Sequence, residues 1–141
     1  MTTYTECFYE VHYPLINVAA PNTYQAGAEV VTAYADHENY HRGVCITHIG
    51  TVAQGGDVHV SIYAASDALG TGVETLHTVN YTAAGIYAIE VTSESFTPGN
   101  KFVAVGYDVD DAAMNLAIIY YGIVSRYMPV PTTNWAGTHG P

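Results

Sequence analysis

The sequence predicts an all-β chain: a single antiparallel β-sandwich of about eight strands in jelly-roll-like order, with extended N- and C-terminal arms. Apolar and polar residues alternate with a period of two for several positions at a time, and each run ends in Gly, Pro, Asn or Asp. Composition agrees, because thirteen of the 141 residues are tyrosine, while Val, Ile and Thr outnumber the helix-favouring Leu, Lys, Arg and Glu. No linker, low-complexity tract or internal repeat divides the chain, so it reads as one domain large enough to bury a core without staples.

Tyr4 to Tyr13 sets Cys7, Tyr9, Val11 and Tyr13 on one side and Glu6 and Glu10 on the other, so residues 1–13 read as an N-terminal strand or extended arm. Glu29 to Ala35 is the next strand. Gly43 to Ile49 follows, with Val44, Ile46 and His48 on one face and Cys45, Thr47 and Ile49 on the other, both mostly apolar. The loop TVAQGGD leads into DVHVSIYAA, a half-buried strand with Val58, Val60 and Ile62 facing one way and His59, Ser61 and Tyr63 the other.

After the glycine-punctuated SDALGTG, Val73 to Tyr81 alternates weakly, TAAG turns, and Ile86 to Ser93 alternates through Tyr87, Ile89 and Val91. TPGN puts Pro98 and Gly99 where a type II turn wants them, since proline presets its dihedral and glycine accepts the positive one. Lys101 to Tyr107 is then a strand apolar on both faces. Asn115 to Val130, β-branched and aromatic without helical spacing, reads as a long central strand ended by Pro129 and Pro131. The sandwich thus occupies 14–131, and TTNWAGTHGP at 132–141 is an irregular tail.

Charge excludes several partners. Arg42, Lys101 and Arg126 stand against thirteen acids, giving a formal net charge of −10. Three scattered cations cannot form the basic face that releases counterions from a nucleic acid, and an anionic membrane surface is disfavoured for the same reason. The longest apolar stretch, AAMNLAIIYYGIV, is too short to span a bilayer and contains Asn115. MTTYTECFYE has acids where a signal peptide has a basic start, so folding in a reducing cytoplasm is expected, with Cys7 and Cys45 as free thiols.

The stretch DHENYHRGVCITHIG holds His37, His41, Cys45 and His48 and raises the question of a metal. His37 and His41 would share a face only on a helix, which Gly43 and the β-branched run after it forbid, and Cys45 points away from His48 on a strand. The expectation is a polar turn feeding a strand. In YDVDDAAMN, Asp108, Asp110 and Asp111 offer oxygens to calcium, but an EF-hand loop beginning at Asp108 would need glycine and glutamate where Ala113 and Ile119 stand. A solvated turn is expected there, and turn-forming roles for Asp57 and Asp67. No nucleophile elbow, phosphate loop or activated cysteine is present, so neither enzyme activity nor a cofactor is expected.

What remains is surface. Aromatic residues at the margins offer large apolar contact with a polar tip, which suits protein interfaces, and Tyr4, Phe8, Tyr9, Tyr13, Tyr127 and Trp135 are the candidate partner-binding residues. About half of the tyrosines are expected instead to close the sandwich.

The run ENYHRGVCITHIGTVAQGGDVHVSIYAASDALGTG, Glu38 to Gly72, resembles a pattern in small β-sandwich structural proteins of tailed bacteriophages. That pattern has a polar N-Y-H-R lead, an apolar strand ending in glycine, a G-D hairpin, a V-x-V-x-I strand and a glycine-punctuated loop. Asn39-Tyr40-His41-Arg42 and Ala65-Ser66-Asp67 are its distinctive letters here. The resemblance implies a non-enzymatic virion component with no catalytic residue, specifically a capsid decoration or cement protein assembled in the host cytoplasm and seated on the head surface. Its implied partners are the major capsid protein and neighbouring copies of itself, with a trimer as the favoured assembly. The alternatives are a head–tail connector or tail component and, from another class, a carbohydrate-binding module or adhesin.

Overall fold

A computed structural model of the chain describes residues 12–123, with side chains from Tyr13 onward. Among the described residues nine strands follow one another: β1 (His12–Tyr24), β2 (Val30–Val31), β3 (Ala35–Asp36), β4 (Arg42–Val52), β5 (Asp57–Ala65), β6 (Glu74–Tyr81), β7 (Gly85–Thr92), β8 (Phe102–Asp110) and β9 (Met114–Ile123). A short 3₁₀ turn, Ser93–Ser95, is the helical element among the described residues, and no helix there is long and apolar enough to cross a membrane.

The strands form two sheets, ordered β1-β9-β4-β7 and β2-β8-β5-β6, with β3 also on β8, and every pairing is antiparallel. Counting β2 and β3 as one interrupted strand gives eight. The first then pairs with the eighth, the second with the seventh, the third with the sixth and the fourth with the fifth, as if one long hairpin had been rolled into two layers. That is the jelly roll.

The alternating segments behave as their pattern predicts. In β5, Val58, Val60, Ile62 and Ala64 are fully buried between the sheets, while His59, Ser61 and Tyr63 face outward. Beside them in the same sheet lie Val103, Val105 and Val109 of β8, and Leu116, Ile118 and Tyr120 of β9 come from the opposite sheet, so the interior is filled with side chains. Over its first part β8 is apolar on its outer face too, with Tyr63 and Glu29 lying over Gly106, and Asp108 and Asp110 follow on that face. A Cβ at Gly106 would sit 2.8 Å from the Tyr63 ring and 3.1 Å from the Glu29 carboxyl carbon. The TPGN turn has Gly99 at φ +94° and a bond from the Asn100 amide to the Thr97 carbonyl.

Three departures from the sequence reading have local causes. β1 runs through HYPLINVAAPNTY, most of which follows the expected arm at 1–13 and carries no expected strand; it holds Pro14 and Pro21 and shifts register three times against β9, which erases the period-two signal. The strand expected at Glu29 to Ala35 is split, since the Val105 amide donates to the Thr32 side-chain oxygen and that hydroxyl interrupts the backbone ladder. Asp108 and Asp110, expected in a turn, lie on β8, and the turn itself is made by Asp111 at φ +64°. The expected central strand at 115–130 is central, between β1 and β4, over its described part.

Candidate functional site

The histidine-rich segment resolves into separate roles. His37, at the end of β3, is 2% exposed; its Nε2 lies 2.9 Å from the Tyr120 hydroxyl, and its ring packs against Phe96 and Tyr40. The pairing needs glycine at position 43, because a Cβ there would overlap the Tyr120 hydroxyl. Burial pulls the His37 pKa down to about 4, opposed by its own backbone hydrogen bond and by Asp36, so the ring is neutral at pH 7. Its Nδ1 has no hydrogen-bond partner in any other described residue. Burial, then the neighbouring Cys45, raises the Tyr120 phenol.

The other donors of that segment diverge. Cys45 points into the core as a free thiol that burial pushes up to about 12, which leaves it inert as a nucleophile. His41 and His48 are exposed, and Arg42 pairs with Glu90 at 3.1 Å on the surface. The turn-and-strand expectation therefore holds.

Pairing of β5 with β8 brings together a group that sequence reasoning missed. Asp57 stands opposite Asp110 and His59 opposite Asp108, all on the outer face of the second sheet. One ligand atom from each of Asp57, His59 and Asp110 lies within 4.8 Å of the others, and His59 Nδ1 is 3.1 Å from Asp110 Oδ2. Burial, then the neighbouring Asp110, holds the Asp108 carboxyl above its ordinary range. Two carboxylates and an imidazole can hold a divalent cation, but three donors fall short of tetrahedral zinc and of the six to eight oxygens of calcium. His59 and Asp110 are each about 40% exposed, which suits a solvated polar contact on the surface. Fifty residues of intervening chain hide this proximity from the sequence; the register alone creates it.

Of the expected partner-binding residues, Tyr13 is described: it lies in β1 opposite Gly122 and stacks on Tyr40 with ring centres 6.0 Å apart. Tyr4, Phe8, Tyr9, Tyr127 and Trp135 lie outside the described residues, as does Cys7. Other tyrosines close the sandwich in pairs, Tyr81 on Tyr87 at 4.1 Å and Tyr24 edge-on to Tyr107 at 5.6 Å. Among the described residues, the large apolar side chains that protrude are Leu69, Val73, Ile86, Val30 and Val31. Leu69, 92% exposed, tips a braced loop in which Asp67 accepts from the Leu69 and Thr71 amides and the Thr71 hydroxyl.

No family model matches the chain, and no curated protein sequence does. Among solved structures, a chain in "Structure of infectious bursal disease virus Gx strain" is similar at 15% identity and a TM-score of 0.43, over 81% of this chain and 32% of that one. The chain thus spans about a third of that neighbour's length.

Proposed function

We propose that the protein is a non-enzymatic structural component of a virion, a decoration or cement protein of a tailed-phage head. The supporting observation is where the fold puts the residues of the phage-like pattern. Tyr40 packs over Gly122, where a Cβ would come within 2.6 Å of its ring; Arg42 ties β4 to β7 through Glu90; Asp67 organises the β5–β6 loop. The distinctive letters are joints of a scaffold, as expected of kinship through architecture. The jelly roll is also an architecture of viral capsid domains, shared with lectins and cupins.

In this reading the protein adds buried area across joints between capsid subunits, and many copies acting together stabilise the shell. The major capsid protein and neighbouring copies are its partners, and Tyr4, Phe8, Tyr9, Tyr13, Tyr127 and Trp135 make contacts. A sugar-binding module would need aromatic rings displayed on one open face, whereas Tyr24, Tyr81, Tyr87 and Tyr107 are spent on pairs that close the core. Crosslinking of intact particles, with neighbours identified by mass spectrometry, tests the assignment. Links to the major capsid protein are expected; absence of the chain from purified particles would refute it.

A further inference from the structure

The four borders of the two sheets are not equally protected. β1 is broken by three register shifts and two prolines, β2 and β3 are two residues each, and the β5–β6 ladder shifts register between Ile62 and Tyr63. β7 alone is long and regular: eight residues, GIYAIEVT, paired with β4 without a register shift and bounded on its other side by no described strand. It has no proline. Its one charge, Glu90, is held by Arg42, and its outer-face Ile86 is 73% exposed. Such an edge is a template for another strand.

The groups it offers can be read from the ladder. The Ser93 amide bonds the His41 carbonyl, one step beyond the Arg42–Thr92 pair. Alternation in an antiparallel pair then turns the odd-numbered residues of β7 toward β4 and the backbone groups of Ile86, Ala88 and Glu90 toward the open side.

We propose that this edge pairs with the same edge of a second copy of the chain, antiparallel about a twofold axis at Ala88, joining two four-stranded sheets into one. Two features favour a copy as the occupant. The strand is self-complementary about Ala88: the small residue faces itself, and Ile86 meets Glu90, so no like charges stand opposite one another. The charged side chains on this part of the first sheet are the Arg42–Glu90 pair, whereas the second sheet's outer face carries Glu29, Asp57, Asp108 and Asp110. Two copies of a chain with net charge −10 can meet here without opposing unpaired acids. The pairing rests on the fold and not on the capsid reading, and its test needs no particle.

Sedimentation of the purified full chain at about 100 µM should show a dimer. Residue-resolved hydrogen exchange should show the Ile86, Ala88 and Glu90 amides gaining protection as concentration rises, while Tyr87, Ile89 and Val91, bonded to β4, stay protected throughout. Ala88→Lys places two ammonium groups face to face and should weaken association by about tenfold or more, with an unchanged far-ultraviolet spectrum. A strict monomer would overturn the proposal. So would a dimer whose even-numbered β7 amides exchange freely, since it would be built on another surface. If Ala88→Lys fails to fold, the exchange pattern of the unaltered chain decides alone.

Discussion

Acidification should destabilise this protein through His37. The ring is 2% exposed, neutral, and bonded to the Tyr120 hydroxyl, with its pKa held near 4 against 6.5 in an open chain. Between those values the unfolded chain binds a proton that the folded one refuses, so stability falls as pH drops through 6.5 and levels off below about 4. At about 1.4 kcal/mol for each unit of pKa, the full effect is about 3 kcal/mol, of which about 2 kcal/mol is lost by pH 5. Other histidines and the carboxylates add their own pH dependence, so a subtraction is needed. The double variant His37→Phe/Tyr120→Phe removes both polar partners and refills the aromatic pocket. Urea unfolding at pH 7, 6 and 5 should give a wild-type stability loss larger than that of the double variant by about 2 kcal/mol. Equal losses would refute the reasoning.

Gly122→Ala should cost about 1–3 kcal/mol, read as a lowered melting temperature, because its Cβ would press into the Tyr40 ring at 2.6 Å. Arg42→Ala should cost less than about 1 kcal/mol by urea titration, since both partners of its ion pair are about half exposed. EDTA should leave the melting temperature unchanged; a loss of several degrees, abolished by Asp57→Asn, would show that Asp57, His59 and Asp110 hold a structural cation.

Much of this architecture is legible in the sequence because most strands have one wet and one dry face. DVHVSIYAA became β5 with the faces its alternation assigns, and Gly85–Thr92 and Glu74–Tyr81 fall within a residue or so of their expected bounds. Illegible were the elements whose signal is tertiary. β1 is specified by packing on β9 and broken up by prolines and bulges, and the β2–β3 edge relies on a threonine hydroxyl. The same holds for sites. The turn that carries His37 is legible from the glycine and β-branched run after it, but its partner Tyr120 lies 83 residues away and only the closed sandwich brings them together. The Asp57–His59–Asp110 group likewise depends on which residues face each other across β5 and β8.

Salt gives a last, independent handle on the β7 pairing, because long-range and local charge act in opposite directions. Two chains of net charge −10 repel as they approach, and the range of that repulsion is the Debye length, about 30 Å at 10 mM salt and about 8 Å at 150 mM. Adding salt over that interval should therefore strengthen association. At the contact itself the situation differs: Arg42 and Glu90 already satisfy one another within each copy, and Ile86 and Ala88 are apolar, so no ion pair between copies exists to be screened away. Once the Debye length is shorter than the separation of the acidic faces, further salt has little left to screen. The association constant from sedimentation should rise from 10 to about 150 mM sodium chloride and then flatten. An association that weakens with salt would mean that opposite charges hold the copies together, which the neutral edge of β7 cannot supply, and would place the contact elsewhere on the molecule.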